Sequence, residues 1–167
     1  MMTGMELRET QDYDADPDRV FAMFCDRAWR EEVCRATHAI DFSVSVEESG
    51  GTVVVRTTRV LPADVPEPAK SLVGDTIEIA QAESWTAEPD GDGTRRAEVD
   101  LRISKQPASM TGTITLRPNG SGTRRTVIGD IRVRIPLLGR RIEPEIAKAI
   151  RAGLDKEHQC AHPYLTD

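Results

Sequence analysis

The pattern of hydrophobic and polar positions changes period along this chain, and its last stretch carries the strongest signal. After Pro136-Leu137-Leu138-Gly139, the residues Ile142, Ile146, Ala149, Ile150, Gly153, Leu154, Cys160, Ala161 and Tyr164 recur at three- and four-residue steps. That spacing marks one face of a helix. A helix from Ile142 to His162 would be about 31 Å long, enough to cross a small domain.

Upstream, the pattern is mostly of period two. Leu7, Glu9, Gln11 and Tyr13 alternate with Glu6, Arg8, Thr10 and Asp12, which predicts a short, exposed first strand. Asp16 is placed to cap a helix that opens on Pro17 and Asp18 and carries Val20, Phe21 and Phe24 as its apolar stripe. Asp26 caps a second short helix from Arg27 to about Cys34, with Ala28, Trp29 and Val33 as its buried side.

From His38 the alternation returns. Ile40, Phe42, Val44 and Val46 form one strand, and Val53, Val55 and Thr57 the next, with Ser49-Gly50 as the expected turn and Val46 opposite Val53. Pro62, Pro66 and Pro68 exclude a strand from Leu61 to Gly74, where Glu67–Val73 predicts a turn or two of helix. This segment reads equally as a flap over the sheet or as a plain surface crossover. Strand four runs from Thr76 to Thr86, with Ile77, Ile79, Gln81, Glu83 and Trp85 on one face. Ala97, Val99, Leu101 and Ile103 make strand five, and Met110, Gly112, Ile114 and Leu116 make strand six. Val127, Gly129, Ile131, Val133 and Ile135 make strand seven. If Leu116 faces Val127, Gly112 lies opposite Ile131 and Gly129 opposite Ile114. Inner-face glycines would then bend the sheet and leave room beneath the long helix.

Composition narrows the class. A chain of 167 residues with 38% hydrophobic and 30% charged residues and a net charge of −6 describes one acidic globular domain. No apolar run reaches the length of a membrane span and the first residues lack a signal-peptide pattern, so a cytoplasmic location without integral membrane association is expected. Cys25, Cys34 and Cys160 are odd in number and widely spaced, as reduced thiols are. The pairs Arg95-Arg96, Arg124-Arg125 and Arg140-Arg141 stand among acidic neighbours with only 4% aromatic residues, which argues against nucleic acid. Asp90-Gly91-Asp92-Gly93 lacks the further ligands of a calcium loop. His158 and His162 lie away from Cys160 on the helical wheel, so no metal is expected there. No phosphate loop or nucleophile elbow is present, and no cofactor is expected.

The order of elements, strand, two short helices, six antiparallel strands and a long last helix, resembles the helix-grip fold of the START-like (SRPBCC) superfamily of polyketide cyclases and pollen-allergen-like proteins. The run Asp16-Pro17-Asp18-Arg19-Val20-Phe21 through Asp26-Arg27-Ala28-Trp29 is similar to that superfamily's opening motif. Ile135-Pro136-Leu137-Leu138-Gly139, followed by Ile142-Glu143, resembles an actinobacterial family within it, domain of unknown function family 2505. The resemblance implies an α+β helix-grip domain over residues 5–167: a seven-stranded curved antiparallel sheet wrapped around the last helix, with two short helices between strands 1 and 2. It also implies an apolar pocket between sheet and helix. The lining expected from it is Val55, Thr57, Leu72, Ile79, Gln81, Glu83, Trp85, Val99, Met110, Gly112, Ile114, Gly129, Ile131, Ile146, Ile150 and Gly153.

The leading functional expectation is binding or transport of a hydrophobic small molecule such as a lipid, sterol or polyketide, without covalent chemistry and with no catalytic residue assigned. The alternatives are a cyclase- or hydrolase-type enzyme using Glu83, Gln81 or Glu157, and a protein-interaction module. A homodimer is the assembly to test. Glu157, inside the apolar arc of the last helix, must be paired. It is either a polar anchor in the pocket or the partner of a structural arginine, Arg27, Arg30 or Arg35.

Overall fold

A computed structural model of the chain describes residues 4–63, 70–71 and 74–166. Seven strands form one antiparallel sheet: β1 (Met5–Tyr13), β2 (Asp41–Ser49), β3 (Thr52–Pro62), β4 (Thr76–Thr86), β5 (Arg95–Ile103), β6 (Ala108–Asn119) and β7 (Gly122–Val133). Their order is β1-β7-β6-β5-β4-β3-β2, so the chain passes from one edge of the sheet to the other through α1 (Pro17–Phe24) and α2 (Arg27–Ala36). A long helix, α3 (Gly139–Leu165), follows β7. This is the helix-grip arrangement. Leu72 and the expected helix at Glu67–Val73 lie outside the described residues.

Alternation builds the sheet. On β5, Ala97, Val99 and Leu101 are buried while Arg96, Glu98 and Arg102 face water. Both short helices start as their capping residues dictate: Asp16 accepts from Arg19 N–H at 2.8 Å, and Asp26 from Ala28 N–H at 2.8 Å. α3 packs chiefly on β1 and β7 and on α1 and α2. Ala147 and Ala161, the fully buried residues of its inner face, are small enough to let it lie close to the sheet.

Several local expectations give way to geometry. The β2–β3 turn is Gly50-Gly51, both with positive φ (59° and 81°), and Val46 therefore pairs with Val55. A two-residue type I′ loop needs left-handed backbone at both positions, which Ser49 would resist; the shift leaves the faces unchanged. β1 is an edge strand, yet Leu7 and Tyr13 are buried because α3 covers its inner face. On α2, Ala28 is exposed and Arg30 takes the buried position; on α3, Ala149 is exposed and Ala147 is buried. α3 also runs past Pro144 and Pro163, each of which removes one N–H from the helical ladder.

The glycine register differs as well. Gly112 pairs with Gly129, Ile114 with Val127 and Met110 with Ile131. A Cβ on Gly112 would collide with the β7 backbone, lying 2.7 Å from Gly129 Cα, and one on Gly129 would lie 2.6 Å from Met110 Sδ. The glycines therefore serve close strand approach, and the Met110 side chain fills the space that was expected to be open.

Candidate functional site

The concave face of the sheet has two unlike ends. At the end covered by α1 and α2, the side chains of five elements meet in a buried ion cluster. Arg30 of α2 makes a double contact with Glu83 of β4, and its Nε donates to the Phe24 carbonyl at 2.7 Å. Arg125 of β7 donates to Glu157 of α3 at 2.7 Å and, through Nε, to Gln11 of β1 at 3.0 Å. Arg30 and Glu157 close the circuit at 3.5 Å. Glu83 also accepts from Gln81 at 2.7 Å and from Trp85 Nε1 at 3.0 Å. Two guanidiniums thus face two carboxylates, and the cluster is neutral.

Burial alone would pull both arginines down. The charge of Glu83, joined by Glu157, more than offsets this for Arg30, and Tyr13 and Glu157 do so for Arg125, so both stay above their ordinary values. Aromatic rings wall the cluster: Phe24 stacks on Trp85 at 6.0 Å, and Arg125 lies 4.8 Å from the Phe24 centroid. Tyr13 sits against the same arginine, with its hydroxyl buried and without a partner among the described residues. Burial lifts that hydroxyl well above the ordinary phenol range.

The other end is less filled. One flank of α3 rests on β1, where Arg151 reaches Glu9 at 2.6 Å and His158 Nε2 meets the Asp12 carbonyl at 2.7 Å. The last turns are tied to α2 by Trp29 Nε1 donating to the Cys160 carbonyl (3.1 Å) and by Tyr164 donating to Asp26 (2.8 Å). Ile146, Gly153 and Cys160 are seven residues apart and share the flank turned away from β1. A Cβ on Gly153 would meet nothing within 4 Å. On β4, Ile79 and Gln81 belong to the inner face yet are only half-buried, whereas Glu83 and Trp85 are 3% and 0% exposed. The Gln81 amide donates to Glu83, and its carbonyl oxygen has no partner among the described residues.

The residues expected to line a pocket thus divide. Val55, Thr57, Glu83, Trp85, Val99, Met110, Ile114 and Ile131 are buried in the core, as is Gly129. Ile79, Gln81, Ile146, Ile150 and Gly153 are half-buried along the open side, and Gly112 is half-buried within the sheet. Two concavities stand out among the described residues, and both lie elsewhere. One, of about 560 Å³, sits at the β7–α3 junction, and one, of about 470 Å³, on the outer face around Ser84 and Thr113. Sequence reasoning missed Arg125, Gln11 and Tyr13. Their signal was that Arg125, Gln11 and Tyr13 occupy inward-facing positions in period-two strands. Among the described residues no cluster of His, Cys, Asp and Glu could hold a metal ion.

Residues 8–165 match the family described as protein of unknown function, DUF2505. The chain belongs to that family. No curated protein matches this DUF2505 member in sequence. Its fold recurs in solved structures: TTHA0849 from Thermus thermophilus, at 18% identity and TM-score 0.63, covering 93% of each chain, is one. Another is a STAR-related lipid transfer protein from Xanthomonas axonopodis, at 13% identity and TM-score 0.60, covering 94% of this chain and 86% of that one. Norcoclaurine synthase from Thalictrum flavum is similar at 12% identity and TM-score 0.54, with coverage of 94% and 86%. At such identities the likeness of the DUF2505 protein to these structures is one of fold. No described helix of it is long and apolar enough to cross a membrane.

Proposed function

We propose that this DUF2505 protein binds a hydrophobic small molecule along the open side of its concave face, between α3 and β4, without covalent chemistry. The observation that carries the reading is Gly153. This residue without a side chain lies on the flank of α3 turned away from β1 with nothing within 4 Å of where a Cβ would stand, and Ile146 and Ile150 of the same helix, like Ile79 of β4, are only half-buried. A helix interior disfavours glycine by about 1 kcal/mol relative to alanine, so the open space comes at some cost in stability. Gln81 stands where that space meets the ion cluster, and its unpartnered carbonyl oxygen would accept from a hydroxyl or amide of the ligand. The same fold in a STAR-related lipid transfer protein supports an apolar ligand as the class to test.

Catalysis by the cluster is disfavoured by its bonding. Glu83 accepts from Arg30, Gln81 and Trp85, and Glu157 is shared by two arginines, so neither carboxylate has an idle oxygen for proton transfer.

Gly153→Leu tests the proposal. It fills the space and adds helix propensity, so the variant should melt higher than the parent while losing co-purifying lipid in native mass spectrometry and binding of an apolar fluorescent probe. A parent that carries no apolar ligand and binds no probe, or a variant that binds as well as the parent, would overturn it.

A further inference from the structure

Between β7 and α3 the chain reads Ile131-Arg132-Val133-Arg134-Ile135-Pro136-Leu137-Leu138-Gly139-Arg140-Arg141, with four arginines and no acid. Arg132 is held by Asp130 at 2.7 Å. Arg134, Arg140 and Arg141 are exposed, and none of them has an ion pair among the described residues. Glu143, the next acid, is turned inward, where it accepts the Val133 N–H at 3.1 Å. Arg140 and Arg141 also occupy the first turn of α3, where the helix dipole disfavours cations. They are therefore poorly explained by local stability.

Among these charges stands Leu137, 97% exposed and with a φ of 68° that a leucine seldom adopts. The backbone holds it away from the protein, beside the concavity of about 560 Å³ whose floor is Val133, Ile135, Pro136 and Gly139. Strand register places this junction at the end of the sheet where β4 begins, so it adjoins the open side of the concave face.

We propose that the β7–α3 junction docks on a bilayer containing anionic phospholipid, with Leu137 entering the interface and Arg134, Arg140 and Arg141 on lipid phosphates. Charge complementarity selects this occupant. The chain as a whole carries a net charge of −6 and is repelled by an anionic surface, so a face on which exposed arginines stand without acidic partners, as Arg134, Arg140 and Arg141 do, is favoured to meet one. Guanidinium groups match phosphate by paired hydrogen bonds. A lone protruding leucine suits a medium that closes around it, whereas a folded protein partner would need a pocket shaped to receive it. Each arginine near such a surface raises affinity about fivefold, and one inserted leucine about tenfold, so docking is reversible and falls with salt. The surface stands whether or not the concave face holds a ligand.

Co-sedimentation of the full chain with vesicles tests it, using phosphatidylcholine alone and phosphatidylcholine mixed with phosphatidylserine, in low and high salt. Binding is expected only to the mixed vesicles at low salt, reduced about tenfold in Leu137→Ser and more than tenfold in the Arg140→Ala/Arg141→Ala pair. Both changes fall on exposed residues, and an unchanged melting temperature would show that they leave the fold intact. Failure to bind mixed vesicles would overturn the proposal. So would loss in the arginine pair with no loss in Leu137→Ser, which is adsorption by charge alone. Equal, Leu137-dependent binding to polyglutamate would overturn it in favour of an acidic protein segment.

Discussion

Arg125 of β7 and Glu157 of α3 meet at 2.7 Å inside the fold, with Arg30 on the other side of the same carboxylate at 3.5 Å. Changing Glu157 to Gln keeps the shape and leaves two buried guanidiniums to share Glu83. Removing one partner of a buried pair costs about 3 kcal/mol, which for a chain of this size lowers the melting temperature by about 10 °C. Thermal unfolding followed by circular dichroism checks the loss. Because this end of the concave face is already filled, binding of an apolar probe should be unchanged below the transition. A variant that folds as stably as the parent but binds the probe more weakly would make Glu157 a ligand anchor instead.

Gly112 and Gly129 pair across β6 and β7, but what an added methyl would meet differs. At Gly112 it meets backbone, which cannot yield without opening the ladder. At Gly129 it meets the flexible end of Met110 at 2.6 Å. Gly112→Ala should therefore cost about 3 kcal/mol or more and Gly129→Ala about 1 kcal/mol. In a Met110→Ala background, which lacks the clashing Cγ and Sδ atoms, the added cost of Gly129→Ala should shrink and that of Gly112→Ala should not. Denaturant melts of these variants would rank them; equal losses at both glycines would refute this account of the sheet.

The Tyr13 hydroxyl is buried without a partner among the described residues. Leaving such a group unpaired costs about 1–3 kcal/mol, so Tyr13→Phe should raise the midpoint of chemical unfolding. If the midpoint instead falls, a bound water or ligand atom satisfies the hydroxyl in solution.

Alkali should destabilise the protein through Cys25. Burial pushes this thiol up to about 12 in the folded state, while an unfolded thiol loses its proton near pH ~8.5. Between those values the folded chain holds a proton that the unfolded chain has lost, so stability falls as pH rises across the window and is undiminished below it. Melting temperatures from pH 7 to about 11 should decline more steeply for the parent than for Cys25→Ala; parallel slopes would remove Cys25 as a cause.

Much of the fold was legible because it rests on local rules. Asp16 and Asp26 announce their helices, alternation announces β2 to β7, and the long apolar arc announces α3. Registers were harder, since Gly50-Gly51 and the facing pair Gly112 and Gly129 are set by backbone angles and by distances between strands. The site was legible only in part. Ile79, Ile146 and Gly153 could be placed on inner faces from periodicity, but that Met110 fills the hollow beneath Gly129 is a fact of packing. Glu157 could be seen to need an arginine, and Arg30 was among those named. Arg125, with the shorter contact, lay hidden because a charged residue on an inner face breaks the very alternation by which the strand is recognised. Leu137 offered the opposite difficulty: its sequence context reads only as the entry to the last helix, and nothing in it announces the left-handed backbone that leaves the side chain exposed.

The five elements that supply Gln11, Arg30, Glu83, Arg125 and Glu157 are spread from the first strand to the last helix. No fragment of the chain pairs all of these charges, so a partly assembled state that buries one of them without its partners bears an uncompensated desolvation cost. Such states are driven out of the population. The helix-grip then forms or melts as one cooperative event, and the strands have little tendency to persist once α3 has let go.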